Sequence, residues 1–366
     1  MMDFKFLRNV VLKALVLFIL FNGILMLLPD TTHGVQLSLY NRLVPGRERF
    51  PFGETPQQAY NFSLYDVDAM FASHRVDSPK TDETIRVFVF GDSSVWGTLL
   101  KPEETLTGQL NALSKTCKNT PVQFYNLGYP TISVTKDLML MQRSLAFQPD
   151  AVLWLTTLEA FPLDKQLASP LAANNPGLLQ PIINYYQLPL TFEPKQDSIL
   201  DKSLFGRRRE IADWIRLQLY GIMYAATGVD QIYPDYTPAA WNQEADENYY
   251  QFEPPSLPKE KMLFQAIPAA QDILGDIPLY LVNEPIMISS GENSDLRYNF
   301  FYPRWAYDDY RTTLDEVARE QNLPLIDAWD WVDARQFTNS AIHMNADAEK
   351  AFAQKLTDQL QPLICP

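Results

Sequence analysis

The sequence is poor in the residues that most metal, nucleotide and nucleic-acid sites require. It has three histidines and two cysteines in 366 residues, and their scattered positions lack the spacing of a metal site. Its 14 glycines form no Walker-type phosphate loop, so neither a metal nor another cofactor is expected. Acidic residues outnumber basic ones by 44 to 30, and a net charge of -14 repels a phosphate backbone. Nucleic acid is therefore not an expected partner.

The N-terminal end carries the longest apolar stretch. Residues 9–28 contain one charged side chain, Lys13, and as a helix they could cross about 30 Å of hydrocarbon. Lys5 and Arg8 precede the stretch, which places the N-terminus in the cytoplasm by the positive-inside rule. No small-residue cleavage site follows, so an uncleaved anchor is favoured over a signal peptide. The sequence predicts a cytoplasmic stub and single-pass membrane anchor over residues 1–30, with the main domain extracytoplasmic.

Beyond the anchor, short β-rich runs alternate with stretches of helical period. The β-rich runs are Ile85–Phe90, Val122–Leu127, Ala151–Thr157, Ile277–Asn283 and Pro324–Asp327. The helical stretches are Pro102–Lys115, Ser133–Phe147, Tyr307–Gln321 and Ala346–Leu360. This alternation is typical of βαβ units. It predicts an α/β fold with a doubly wound, flavodoxin-like parallel sheet of about five strands and helices on both faces.

The same pattern divides the chain into segments. The core is predicted to comprise residues 85–160 and 260–366. Residues 161–259, rich in proline and aromatic side chains, exceed an ordinary connection and are predicted to form a cap insertion. Residues 31–84 show no sustained apolar period and are predicted to form a stalk packed on the domain.

Three short motifs contain the candidate catalytic residues. The first β-rich run ends in Gly91-Asp92-Ser93 before a predicted helix, a position that exposes the Ser93 hydroxyl near backbone amides. Gly128 follows the second run, where a glycine amide can approach a ligand closely. His343 lies between the last run and the last helix, and is a candidate general base. Alone, Gly-Asp-Ser is a common turn and a lone histidine is more often structural.

In order and spacing, these motifs resemble the SGNH/GDSL hydrolase superfamily over Ile85–Thr157 and Ile277–Leu360. The resemblance implies that Ser93 is the nucleophile and His343 its base. It also implies an oxyanion site built from the backbone N–H groups of Ser93 and Gly128.

The third conserved block of that family departs from the pattern here. Thr157 stands where the family has a glycine, and Glu159 where it has an asparagine that donates to the oxyanion. We assign Thr157 to the predicted oxyanion site with Ser93 and Gly128. One oxyanion donor is nevertheless expected to be missing.

The fifth block departs as well. The family has an aspartate three residues before the histidine, and this chain has Ser340 there. The neighbouring Asn339 could orient the imidazole through its amide oxygen, and Asp330 or Asp333 are alternatives. An orienting acid affects the rate by several powers of ten. Asn339 is the predicted third member of the catalytic group.

Polar residues follow several of the predicted strands at the edge where ligands bind in such sheets. We predict that these side chains contact substrate; the alternative for the later ones is a solvated loop. The predicted substrate-binding residues are Asp92, Glu159, Asn283, Glu284, Arg297, Asn299 and Arg304.

The two cysteines are expected on the oxidising side of the membrane. Cys117 follows the first helix of the core and Cys365 follows the last one. In a doubly wound sheet these two helices cover the same face and run parallel, so their C-terminal ends are neighbours. The arrangement predicts a Cys117–Cys365 disulfide.

Two functions are consistent with the sequence. The first is an extracytoplasmic serine esterase or O-acyltransferase acting on acyl groups of a cell-envelope glycan or lipid, with a membrane acyl-donor protein as a candidate partner. The presence of Ser93, Gly128 and His343 beside an anchor favours it. The second is a catalytically inactive binding or assembly module on the same fold, which the changed third and fifth blocks favour.

Overall fold

The computed structural model describes residues 4–27, 46–52, 67–80, 83–191, 200–208 and 235–365, together with positions 198, 211, 212, 215 and 219. Much of the predicted stalk and part of the predicted cap insertion lie outside the described residues.

A six-stranded, mostly parallel sheet forms the centre of the fold. Its strands are β1 (Ile85–Phe90), β2 (Thr116–Cys117), β3 (Thr120–Asn126), β4 (Ala151–Thr156), β5 (Leu279–Asn283) and β6 (Leu325–Asp327). They lie in the order β2-β3-β1-β4-β5-β6, and only the β2–β3 pair is antiparallel in the described part of the chain. The five parallel strands follow the flavodoxin-like order, which confirms the predicted fold class. The two residues of β2 are too few to give a periodic signal in the sequence.

The described α-helices connect and flank these strands. They are α1 (Phe4–Leu27), α2 (Val67–Ala72), α3 (Ser93–Trp96), α4 (Leu106–Ala112), α5 (Val134–Ser144), α6 (Pro170–Asn174), α7 (Pro176–Tyr185), α8 (Ala266–Leu274), α9 (Arg304–Glu320) and α10 (Ala346–Ile364). The predicted anchor coincides with α1. No helix in the described part of the chain combines the length and the apolar character needed to cross a membrane.

Strand β1 shows why the sheet is covered on both faces. Phe88 and Phe90 pack into one apolar cluster with residues of α5, α8 and α9. Val87 and Val89 point the other way, into a second cluster with residues of α4 and α10. A strand buried on both sides needs a continuous apolar run rather than an alternating one, which is what residues 87–90 provide.

Helices α4 and α10 pack against each other on one face of the sheet, as predicted. Cys117 in β2 and Cys365 at the end of α10 form a disulfide with their Cα atoms 5.3 Å apart. The predicted bond is therefore confirmed. It joins the edge of the sheet to the C-terminus of the chain.

A segment before the sheet, residues 46–52, packs against the end of α3. The buried Arg49 guanidinium donates to the carbonyl oxygens of Trp96 at 3.2 Å and Gly97 at 2.7 Å. It also lies 4.0 Å from the centre of the Trp96 ring, and the indole N–H donates to the Phe50 carbonyl at 2.7 Å. Residues 46–52 thus hold the short helix that begins at Ser93.

Candidate active site

Ser93 is positioned by a tight turn between β1 and α3. A Cβ atom on Gly91 would lie 2.5 Å from Val95 Cγ2, so only glycine allows α3 to fold back this closely. The side chain of Asp92 caps the helix by accepting from the Ser94 N–H at 2.8 Å. Ser93 is thereby the first residue of a helix at the C-terminal edge of the sheet, and its side chain is half-buried.

The structure brings His343 to Ser93 from 250 residues away. Ser93 Oγ lies 2.7 Å from His343 Nε2, and His343 Nδ1 lies 2.8 Å from Asn339 Oδ1. The amide oxygen of Asn339 can only accept, so Nδ1 carries the proton and Nε2 accepts from the serine hydroxyl. Asp333, a predicted alternative partner, instead caps a short 3₁₀ helix by accepting from the Arg335 N–H.

Burial lowers the pKa of His343 to about 4. Because the base must be neutral to accept the Ser93 proton, the acid limb of any Ser93-dependent activity is expected near pH 4, below the ordinary histidine value of about 6.5. Hydrolysis of p-nitrophenyl acetate measured from pH 3 to 8 tests this. The value of kcat/KM should stay constant as the pH is lowered from 7 to about 5.5. An acid limb near 6.5 would contradict the desolvated environment of the ring.

Asn339→Asp is expected to raise the reaction rate at neutral pH by about 10-fold or more. A carboxylate beside Nδ1 stabilises the imidazolium that forms when Ser93 attacks, and it also moves the acid limb to higher pH. Asn322→Asp, an exposed position after α9, adds the same charge away from the site and serves as the control. A lower rate in Asn339→Asp would mean that the amide group of Asn339 has a role that a carboxylate cannot fill.

The predicted oxyanion residues differ in what their groups contact. Ser93 contributes a backbone N–H in the first turn of α3, where amides have no acceptor within the helix. The Gly128 N–H instead donates to Asn126 Oδ1 at 3.1 Å, and a Cβ atom at Gly128 would lie 2.7 Å from the Trp96 nitrogen. Thr157 is buried, with its hydroxyl 2.9 Å from that of Tyr302. Close packing of the loop after β3 against α3 is therefore the structural reason for a glycine at 128.

Glu159 contacts residues of the predicted insertion. Its buried carboxylate forms an ion pair with Lys165 and accepts hydrogen bonds from the hydroxyls of Tyr249 and Tyr250. Burial lowers the pKa of Lys165 to about 8. These contacts join Glu159 to residues of the predicted insertion, and its contact with substrate stays a prediction.

Four other predicted substrate-binding residues also bind the protein itself. Asn283 is fully buried between Asp327 and Tyr307, and Asn299 is fully buried against backbone groups. The Arg297 guanidinium donates to four backbone carbonyls, two of them in residues 246–248 of the predicted insertion. Arg304 donates to the Ser294 carbonyl and lies over the Tyr298 ring. These four side chains therefore have structural contacts inside the fold, and their contact with substrate stays a prediction.

Glu284 lies beneath the nucleophile turn. The hydroxyl of Ser94, the residue after the nucleophile, donates to its carboxyl group, and both side chains are buried. Glu284 was predicted to contact substrate. In the structure it is buried behind Ser94, which lies between it and the nucleophile.

Lys136 was not predicted as part of the site. Its fully buried ammonium donates to the carbonyls of Gly91 at 2.7 Å and Tyr129 at 3.2 Å, and pairs with Asp137. It thus joins the nucleophile turn to the loop after β3. A single lysine in an amphipathic helix usually faces solvent, so the sequence contains no signal for this contact.

No protein-family model matches the chain, and no curated protein matches it. Several solved structures do match. An aryl esterase of M. smegmatis is 13% identical, with 76% of this chain and 99% of that chain covered and a TM-score of 0.35. A carbohydrate acetylesterase of Sinorhizobium meliloti is 12% identical, with 76% and 99% covered and a TM-score of 0.34. A lipolytic protein of the G-D-S-L family from Veillonella parvula is 12% identical, with 75% and 97% covered and a TM-score of 0.35. At such identities and scores, the chemistry of this chain has to be inferred from the geometry of its own site.

Proposed function

We propose that this protein is a serine acyl hydrolase or O-acyltransferase in which Ser93 is the nucleophile, His343 the base and Asn339 the group that orients the base. The observation that carries the proposal is the line of contacts from Asn339 Oδ1 through the imidazole to Ser93 Oγ, with distances of 2.8 and 2.7 Å. A nucleophile within hydrogen-bond reach of a base that is itself oriented by a third group is the arrangement that nucleophilic catalysis requires.

The geometry supports a two-step reaction. Ser93 Oγ attacks the acyl carbonyl carbon while His343 Nε2 takes the hydroxyl proton, and the Ser93 N–H faces the developing oxyanion. The intermediate collapses as the alcohol leaves with the proton from His343, which gives an acyl-serine. Water, or the hydroxyl of an acceptor, then loses a proton to His343 and attacks the acyl carbon. Ser93 regains its proton, and the product is a carboxylic acid after hydrolysis or a new ester after transfer.

The proposed substrate is an acylated glycan or lipid of the cell envelope, and the proposed location is the extracytoplasmic side of a membrane. The Cys117–Cys365 disulfide supports an oxidising compartment. Helix α1 supports contact with lipid, because large apolar side chains along it are exposed, including Phe4 at 78% and Leu17 at 66%. Membranes washed with carbonate should retain the full-length chain. Its recovery in the soluble fraction would contradict the proposed anchoring.

One observation favours the second candidate, a catalytically inactive binding module. The Gly128 N–H donates to Asn126 Oδ1 and is not directed at an oxyanion. Of the predicted donors, the Ser93 N–H is the one that faces the developing oxyanion. Loss of a single oxyanion donor costs about 10²- to 10³-fold in kcat, so a site with too few donors could bind an acyl group without cleaving it.

A serine-directed fluorophosphonate probe separates the two functions. The full-length wild-type protein should become labelled, and Ser93→Ala should not. Hydrolysis of p-nitrophenyl acetate by the same preparations measures the esterase reaction directly. Absence of labelling in the wild type, or equal labelling of Ser93→Ala, would favour the binding module.

A further inference from the structure

Glu284 and Ser94 connect the nucleophile to a distant strand. Glu284 follows β5, and its N–H donates to the Thr156 carbonyl in β4 at 3.1 Å. From there its carboxyl group reaches the Ser94 hydroxyl in α3. Because β4 lies between β1 and β5, this contact joins the ends of non-adjacent strands directly beneath the residue that follows Ser93.

The carboxyl group of Glu284 is an unfavourable place for a negative charge. It is 2% exposed, and one of its oxygens has no hydrogen-bond partner among the described residues. The carboxyl groups of Asp92, Glu349 and Asp137 are close enough to disfavour its ionisation. Burial and the nearby Asp92 together raise the pKa of Glu284 well above its ordinary value. Lys136 is paired with Asp137 and leaves Glu284 without a cation of its own among the described residues.

The Ser94–Glu284 contact acts on helix α3, which has only four residues. A helix this short has too few internal hydrogen bonds to hold its own orientation. Its N-terminus is capped by Asp92 and it ends at Gly97, which has a φ of 86°. These contacts and those of Arg49 hold the two ends of the helix, and the Ser94 hydroxyl adds a side-chain contact that opposes rotation about the axis. That rotation sets the direction of the Ser93 hydroxyl relative to His343.

We propose that Glu284 is a positioning residue for Ser93 and acts on it through the hydrogen bond from the Ser94 hydroxyl. The proposal rests on the proposed function, since it assigns a residue that positions the nucleophile of the same site. It accounts for a buried glutamate next to β5 that contacts neither His343 nor Asn339 in the described structure.

The test measures the rate of fluorophosphonate labelling and the kcat and KM for p-nitrophenyl acetate in the full-length protein. Ser94→Ala is expected to slow labelling and lower kcat by about 10- to 100-fold with KM unchanged, because the nucleophile is misplaced. Glu284→Leu should behave the same way, and the double variant should be no slower than either single one. Glu284→Gln should stay close to the wild-type rate, since it keeps a neutral acceptor of the same shape. Ser144→Ala removes another buried serine hydroxyl, bonded to the Met141 carbonyl, and should have no effect.

A second measurement does not require catalysis. Both native cysteines are in the disulfide, so Ser93→Cys introduces the one free thiol of the chain. Its alkylation by iodoacetamide reports how well His343 draws off the thiol proton. Adding Ser94→Ala to this variant should slow alkylation at pH 6, whereas adding Ser144→Ala should not. Unchanged alkylation and labelling in Ser94→Ala, or a Glu284→Gln variant as slow as Glu284→Leu, would overturn the proposal. If wild-type protein resists the fluorophosphonate while Ser94→Ala still slows alkylation, the proposed function fails and the positioning role stands.

Discussion

Ser93→Ala and His343→Ala are each expected to remove the esterase activity, and the double variant is expected to lose no more than either single one. The two side chains lie 2.7 Å apart and act on one proton, so either loss disables the whole unit. In an enzyme with a comparable catalytic group, losing the nucleophile or the base costs about 10⁶-fold in kcat. The measurement is hydrolysis of p-nitrophenyl acetate by the three purified variants.

Ser78→Ala provides the matched control for the serine replacement. Ser78 is exposed and its carbonyl accepts from Arg86 at the opposite end of β1, so removing its hydroxyl should leave the rate unchanged. Partial losses that multiply in the Ser93→Ala/His343→Ala variant would show that the two residues act independently. The proposed nucleophile and base would then be wrong.

Loss of the disulfide is expected to have the largest effect on stability. Cys117 and Cys365 are 248 residues apart, and for a loop of this length the chain-entropy model gives about 5 kcal/mol. The double variant Cys117→Ala/Cys365→Ala should therefore melt about 10 °C or more below the wild type. Thermal unfolding with and without reductant measures the difference.

The double variant controls for effects of the reductant that do not involve the disulfide, because its melting temperature should not change when reductant is added. The expected stabilisation acts on the unfolded chain, so it does not require that the bond contribute contacts in the folded state. Two titratable thiols in the unreduced, denatured wild type would contradict the bond. Equal melting temperatures would show that strain or residual unfolded structure offsets the entropy.

Several polar residues were predicted to contact substrate because they follow strands at the catalytic edge of the sheet. Asn283 and Asn299 follow this rule in sequence and are nevertheless fully buried. Their positions along the chain predict the edge of the sheet at which they lie but not how deeply their side chains are buried. A polar side chain with internal partners is stable in the interior. The side chains of Tyr307 and Asp327 that satisfy Asn283 come from later elements.

The predicted oxyanion site also depends on contacts that the sequence does not show. A glycine at position 128 has two explanations, a free amide near a ligand or a close approach of two backbones. The sequence cannot distinguish them, because both require the absence of a side chain. The structure favours the second explanation, because a Cβ atom at Gly128 would lie only 2.7 Å from the Trp96 nitrogen.

The sequence by itself determined the order of the five parallel strands, the shared face of α4 and α10, the disulfide and the chain positions of Ser93 and His343. Each of these depends on local pattern, on apolar periodicity and on topological rules that hold for all parallel sheets. The tertiary structure alone decided which partners the polar groups take: Asn339 rather than Asp333 for the imidazole, and Ser94 for Glu284. Such choices depend on differences of about 1 Å between groups that lie up to 190 residues apart, since hydrogen bonds weaken steeply beyond about 3.2 Å. No periodicity in the chain encodes distances of that kind.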